Sequence, residues 1–188
     1  MKSICVFCSS SSGKSKIIRD SAEALGIELA ARKIRLIYGG SNMGLMGIVA
    51  RAVLANKGEV VGIIPQKLYD KVDDLAVSKL IVVETMHQRK SAMFEQAEGF
   101  IALPGGIGTL EEVSEVFTWL QLGYSTKPVG LLNADNYFDT LLDFLDVMVK
   151  NGMLKKFHRD MLSVSSSAAD ILDTLSQFKP AYLDKWNS

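Results

Sequence analysis

Short apolar runs alternate along this chain with runs whose apolar residues recur every three or four positions, and that alternation leaves few folds open. The runs at 4–7, 35–38, 60–64, 80–83, 100–103, 128–132 and 162–164 read as strands. The spacing predicts helices over 15–32, 45–56, 86–97, 110–122, 137–151 and 168–178; Ile18, Ala22, Leu25 and Leu29 show the period in the first. Gly39, Gly58, Pro65 and Gly152 punctuate the pattern, and residues 66–78 read as a loop with a short helix. Strands separated by helices give a parallel sheet with helices on both faces. Right-handed crossovers then make a Rossmann-like, doubly wound α/β fold the expectation. At 188 residues the chain is expected to form one domain, 1–188, with a frayed polar tail after Lys179.

Charge and composition exclude some partners. The 21 basic and 21 acidic residues cancel, so nothing favours nucleic acid as a ligand. No apolar run approaches the roughly 20 residues of a membrane span. The N-terminal segment enters a strand with no signal-peptide pattern, so a cytoplasmic protein is expected. Cys5 and Cys8 are the two cysteines, and the expected reading is a buried pair of thiols in a reducing compartment. His87 and His158 lack partners at ligand spacing, so no metal site is expected.

In such sheets ligands gather at the carboxyl ends of the strands. Four loops there carry suggestive chemistry: 9–13, 39–44, 84–90 and 104–112. The last is the most informative. Pro104-Gly105-Gly106-Ile107-Gly108-Thr109-Leu110-Glu111-Glu112 turns from a strand into a helix. Such a turn presents backbone N–H groups at a helix N-terminus, where the dipole favours an anion. Glu112 has two readings. It closes a capping box with Thr109, or it is an acid placed beside a bound phosphate. Glu111 reads as a solvated charge.

The other loops are weaker. Cys8 to Ser15 ends in Gly13-Lys14-Ser15 but has Cys8 where a P-loop needs its first glycine, which argues against a Walker NTPase. Its serines read as ligand hydroxyls or as a turn with a helix cap. The 39–47 stretch is glycine-rich without spelling a dinucleotide fingerprint, and Glu111 stands where such a fingerprint would need glycine in 106–111. Thr85 and Gln88 fit a capping box, which puts Arg89 and Lys90 near a helix start. There a cation is unfavourable, so the two are either a solvated pair of charges or Arg89 faces a bound anion or carboxylate across the cleft. In the 110–122 helix, Val113, Val116, Phe117 and Leu120 make one apolar stripe, while Trp119 and Leu122 extend it to a second face. Such a helix is either buried on two faces, which suggests a dimer contact, or has one wide core face.

Pro104-Gly105-Gly106-x-Gly108-Thr109-x-x-Glu112, with Met86-x-x-Arg89-Lys90 upstream, resembles the LOG family ("Lonely Guy" proteins), whose members are cytokinin riboside 5′-monophosphate phosphoribohydrolases and often carry a lysine decarboxylase label. The resemblance runs from the first strand to about Gly130. Members often have glycine where this chain has Ser9 and Ser41, both in ligand-side loops, which bears on substrate preference. The resemblance implies a Rossmann-like homodimer that cleaves the N-glycosidic bond of a nucleoside 5′-monophosphate, releasing free base and ribose 5-phosphate. Carried over by motif, Arg89 and Glu112 are the catalytic pair, and Lys90, Gly105, Gly106, Ile107, Gly108, Thr109 and Thr118 contact the nucleotide. No metal or organic cofactor is implied.

The chemistry agrees with that assignment. Breaking a ribosyl C–N bond builds positive charge on the sugar, which a fixed carboxylate can stabilise. Arg89 is expected to hold Glu112 ionised by lowering its pKa. A decarboxylase would need a lysine set up for a Schiff base, and none stands out. The alternative is a non-catalytic nucleotide-binding or sensing module of the same fold.

Overall fold

The computed structural model describes residues 1–70 and 77–179. The expected tail after Lys179 and the middle of the 66–78 loop lie outside the described residues. Seven strands form one sheet: β1 (Ser3–Phe7), β2 (Arg35–Tyr38), β3 (Val60–Pro65), β4 (Lys79–Val83), β5 (Phe100–Ala102), β6 (Val129–Leu132) and β7 (Leu162–Ser165). Their order is β4-β3-β2-β1-β5-β6-β7, and every pairing is parallel. The α/β doubly wound expectation holds. Strand order reverses between β1 and β5, where Cys5 pairs with Phe100 and Phe7 with Ala102. Chains leaving these neighbours part in opposite directions and open a crevice above their carboxyl ends.

The period-2 geometry of β1 divides the core. Ile4, Val6 and Cys8 pack with α1 (Lys16–Ala31), α2 (Gly44–Ala55) and α8 (Ala168–Gln177). Cys5 and Phe7 point to the other layer, formed by α4 (Met86–Gln96), α5 (Ile107–Gln121) and α6 (Asp139–Lys150). Both faces of the central strands are buried, so they read as continuous apolar runs. The cysteines are buried and free, as expected.

Three local differences from the sequence reading matter. Helix α5 starts at Ile107 rather than Leu110, with Gly106 as its extended N-cap. The expected 137–151 helix starts at Asp139 rather than Tyr137, after a 3-10 turn at Ala134–Asn136 in which Asp135 and Asn136 both have positive φ. The sequence reading also passed over α7 (Lys156–Asp160), too short for a hydrophobic period. The short helix expected in 66–78 is α3 (Gln66–Tyr69).

Candidate active site

A cavity of about 210 Å³ opens at the β1/β5 crevice, lined by Cys8, Ser9, Ser10, Met46, Arg89, Gly106, Gly108, Thr109 and Glu112. Three of the four loops singled out above thus meet in one place, and α2, which follows the fourth, contributes Met46.

Glu112 does not cap its own helix. A capping box needs Thr109 at the N-cap, but α5 begins three residues earlier than that register, because Gly106 takes the extended N-cap conformation. Glu112 Oε1 instead accepts a hydrogen bond from Arg89 Nη1 at 3.0 Å, with side chains 10% and 8% exposed. The capping box expected at Thr85 and Gln88 does form, and it fixes the start of α4. Arg89 one residue later is carried inward. Its Nε donates to the Ile63 carbonyl at the end of β3. Its Nη2 lies so close to Gly39 that a Cβ there would overlap it. The guanidinium is thus held by a carbonyl, a carboxylate and the absence of a side chain at residue 39.

The charge state follows from burial. The Glu112 carboxyl is raised above its ordinary value, chiefly by desolvation, with Arg89 pulling it down by charge and hydrogen bonding and Glu111 pushing it up. The sequence expectation that Arg89 lowers this pKa has the right sign for that one contact. It has the wrong sign for the net, because removal from water outweighs one partner.

The remaining expected site residues separate. Gly106, Gly108 and Thr109 line the cavity. Amides at the first turn of α5 have no intrahelical acceptor, which suits an anion. Gly105 lies beneath the Thr109 side chain, where a Cβ would overlap its hydroxyl. Ile107 points out and is 82% exposed. Lys90 does not reach the cavity: it pairs with Glu111 and Glu115, one turn apart on α5. Glu111 is therefore an ion-pair partner rather than only a solvated charge. Thr118 is exposed, and its hydroxyl donates to the Ser114 carbonyl of its own helix.

In the 9–13 loop, the turn-and-cap reading describes the local bonds. The Ser9 hydroxyl accepts from Ser11 N, that of Ser11 from Gly13 N, and that of Ser15 from Ile18 N as the N-cap of α1. Ser9 and Ser10 still line the cavity. Sequence reasoning missed Cys8 and Met46 as cavity walls. The signal for Cys8 was its place at the carboxyl end of β1. Burial raises the Cys8 thiol far above its usual pKa, so it faces the cavity as a neutral group.

Among the described residues, no lysine is prepared for Schiff-base chemistry. The two glutamates raise the Lys90 ammonium pKa and keep it charged. Lys127, whose pKa is lowered by burial, donates to the Phe94 carbonyl, lies over the Phe94 ring, and is not among the cavity-lining residues.

Comparison with known proteins agrees with this geometry. The family model described as "Possible lysine decarboxylase" matches residues 46–175. Two cytokinin riboside 5′-monophosphate phosphoribohydrolases of Arabidopsis thaliana are 46% and 45% identical to the chain. The matches cover 95% and 96% of the chain and 79% and 85% of those proteins. The molybdenum cofactor binding protein of Rippkaea orientalis has the same fold at 24% identity, with a TM-score of 0.71 over 94% of this chain and 96% of its own. With the motif pair, the sheet order and these relatives in agreement, the chain belongs to the LOG family of phosphoribohydrolases, whose family model still carries the decarboxylase description.

Proposed function

We propose that this chain hydrolyses the N-glycosidic bond of a cytokinin riboside 5′-monophosphate, an N6-prenylated AMP, and accepts AMP by the same geometry. Water adds at the ribose C1′, the C–N bond breaks with its electrons going to the base, and the base takes up a proton. The products are free base and ribose 5-phosphate. The observation that carries the reading is the buried Arg89–Glu112 pair, placed in one cavity with the α5 N-terminus. Of the acids on α5, Glu112 alone lines that cavity. Pure binding of an anionic nucleotide does not need a buried carboxylate beside its phosphate cradle, which counts against the sensing alternative.

The geometry supports the following roles. The amides of the 106–109 turn receive the phosphate, and this remote binding energy fixes the ribose over Glu112. Ionised Glu112 stabilises positive charge on the sugar or takes a proton from the attacking water. A carboxyl pKa raised toward neutrality makes it a better base than an exposed glutamate. Arg89 orients that carboxylate. Thr118 and Lys90 join the nucleotide contacts only if a second copy or a bound ligand completes the site. We infer such a second copy, since Ile107, Leu110, Phe144 and Val147 leave apolar surface exposed on α5 and α6. We place the activity in the cytoplasm, where two free buried thiols persist. Among the described residues no helix is long and apolar enough to cross a membrane.

The test is incubation of the protein with isopentenyladenosine monophosphate and, separately, AMP. Free base and ribose 5-phosphate in equal amounts are expected. Tight binding of either nucleotide with no base released would overturn the hydrolase reading and favour the sensor.

A further inference from the structure

Tyr137 stands outside every motif discussed so far, yet its hydroxyl donates to the Gly105 carbonyl at 2.6 Å. The β6–α6 connection is built to deliver it there. The Asn133 side chain, nearly buried, accepts from Phe138 N and donates to Asp139, closing the loop at both ends. Asp135 and Asn136 take left-handed conformations in succession, which L-residues seldom do. The Asp135 carboxylate accepts from Ser15, the N-cap of α1, and this holds the turn toward the 9–13 loop. Backbone strain in a loop tied down on every side marks a conformation the surroundings impose.

The consequence is at the next peptide. The 105–106 peptide is trans, so its N–H points opposite to its carbonyl. Tyr137 lines two further cavities, of about 200 and 370 Å³, that share Gly105 and Gly106 with the glycine turn. It does not line the cavity that holds Arg89 and Glu112, whereas Gly106 does. With the carbonyl held by Tyr137, the Gly106 N–H of the same trans peptide points away from the Tyr137 hydroxyl. Thr109 packs over Gly105 so closely that even a methyl there would overlap its hydroxyl.

We propose that Tyr137 is a positioning residue for the phosphate cradle: its hydroxyl holds the Gly105 carbonyl so that the Gly106 N–H is presented to the 5′-phosphate of the substrate. This rests on the hydrolase reading above and adds a residue to it. The residue contacts the loop, not the reacting atoms, so its removal weakens recognition of phosphate and spares recognition of the base.

The test is Tyr137→Phe, which keeps the ring and removes only the hydroxyl. Affinities for ribose 5-phosphate and for the free base are measured by titration calorimetry, beside the melting temperature. The expected result is about a tenfold loss for ribose 5-phosphate, with base affinity and melting temperature unchanged. KM for the nucleoside monophosphate rises with it. Equal affinity of variant and wild type for ribose 5-phosphate overturns the role of Tyr137 alone. A parallel loss for base and sugar phosphate overturns it too, since that is a general structural effect. A wild-type protein that neither cleaves the monophosphate nor binds ribose 5-phosphate overturns the hydrolase reading and this inference together.

Discussion

Arg89 Nη1 and Glu112 Oε1 meet across 3.0 Å from different helices, with both side chains about nine-tenths buried. A pair so enclosed gains little net stability, but losing one member leaves a charge without a partner. Glu112→Gln should therefore fold, because the amide oxygen still accepts from Arg89, yet lose 10²-fold or more in kcat/KM with the transition-state charge uncompensated. Arg89→Met should cost on the order of 3 kcal/mol in denaturant unfolding, and adding Glu112→Gln should recover much of that loss. Steady-state kinetics with urea melts of the four proteins checks both; near-normal activity in Glu112→Gln would remove the acid from the chemistry.

The pH dependence follows from the raised Glu112 carboxyl. In the native state it holds its proton to higher pH than an unfolded glutamate with a pKa of about 4.3. Its contribution to stability is thus complete below the unfolded value and is lost as pH rises through the native one. In the proposed reaction activity runs the other way, since there the ionised form is the working one. The acid limb of kcat/KM should lie above the ordinary glutamate range. It should move higher still in Arg89→Met, where the main lowering contact is gone. A limb at the ordinary value, or one that stays put in the variant, contradicts this.

The sheet was legible in the sequence because central parallel strands are buried on both faces, so 35–38 and 60–64 read as apolar runs bounded by glycine or proline. The motif pair was legible because Thr85 and Gln88 fix the start of α4 by local chemistry. The helix start at Ile107 was not, because a glycine N-cap has no side chain to announce itself and Thr109 offered a false cap. Nor was the fate of Lys90: charges on α4 and α5 pair only once both helices lie on one face of the sheet. Trp119 shows the same limit. Its apolar face suggested a partner chain; within the chain, Phe94 of α4 packs on it edge-on at 4.7 Å and leaves it half-buried. Long-range contacts of this kind have no periodicity to read.

Gly39 is predicted to matter through Arg89. A methyl at Gly39 would overlap Nη2 and crowd the Met46 sulfur. A free arginine would swing aside at little cost, but this one is tied to Ile63 and Glu112. Gly39→Ala should leave the far-ultraviolet circular dichroism spectrum unchanged and lower kcat by about tenfold or more, as a misplaced orienting group does. Unaltered turnover would show that the guanidinium has room to move.

Gly106 and Gly108 should behave differently from Gly39. A Cβ at either meets no atom within 4 Å, so Ala at these positions is sterically free in the empty protein. Both residues line the cavity, however. Gly106→Ala and Gly108→Ala should keep the wild-type melting temperature and lose the thermal stabilisation given by AMP, since the added methyl stands where the phosphate approaches. Thermal shift with and without AMP reads both numbers at once, and full stabilisation by AMP in both variants would move the phosphate to another part of the crevice.

The last expectation concerns assembly. Ile107 at the start of α5 is 82% exposed, Leu110 38%, and on α6 Phe144 is 55% and Val147 49% exposed. Four large apolar side chains open to water on two helices of one layer are the kind of surface a partner can cover. A two-fold contact would bury them and set a second copy beside the cavity, since Ile107 opens the helix that carries Glu112. Light scattering at micromolar concentration should give twice the 20.6 kDa chain mass. Phe144→Glu with Leu110→Glu should halve that mass and depress activity together. A monomeric wild type with full turnover would mean that one chain completes the site alone.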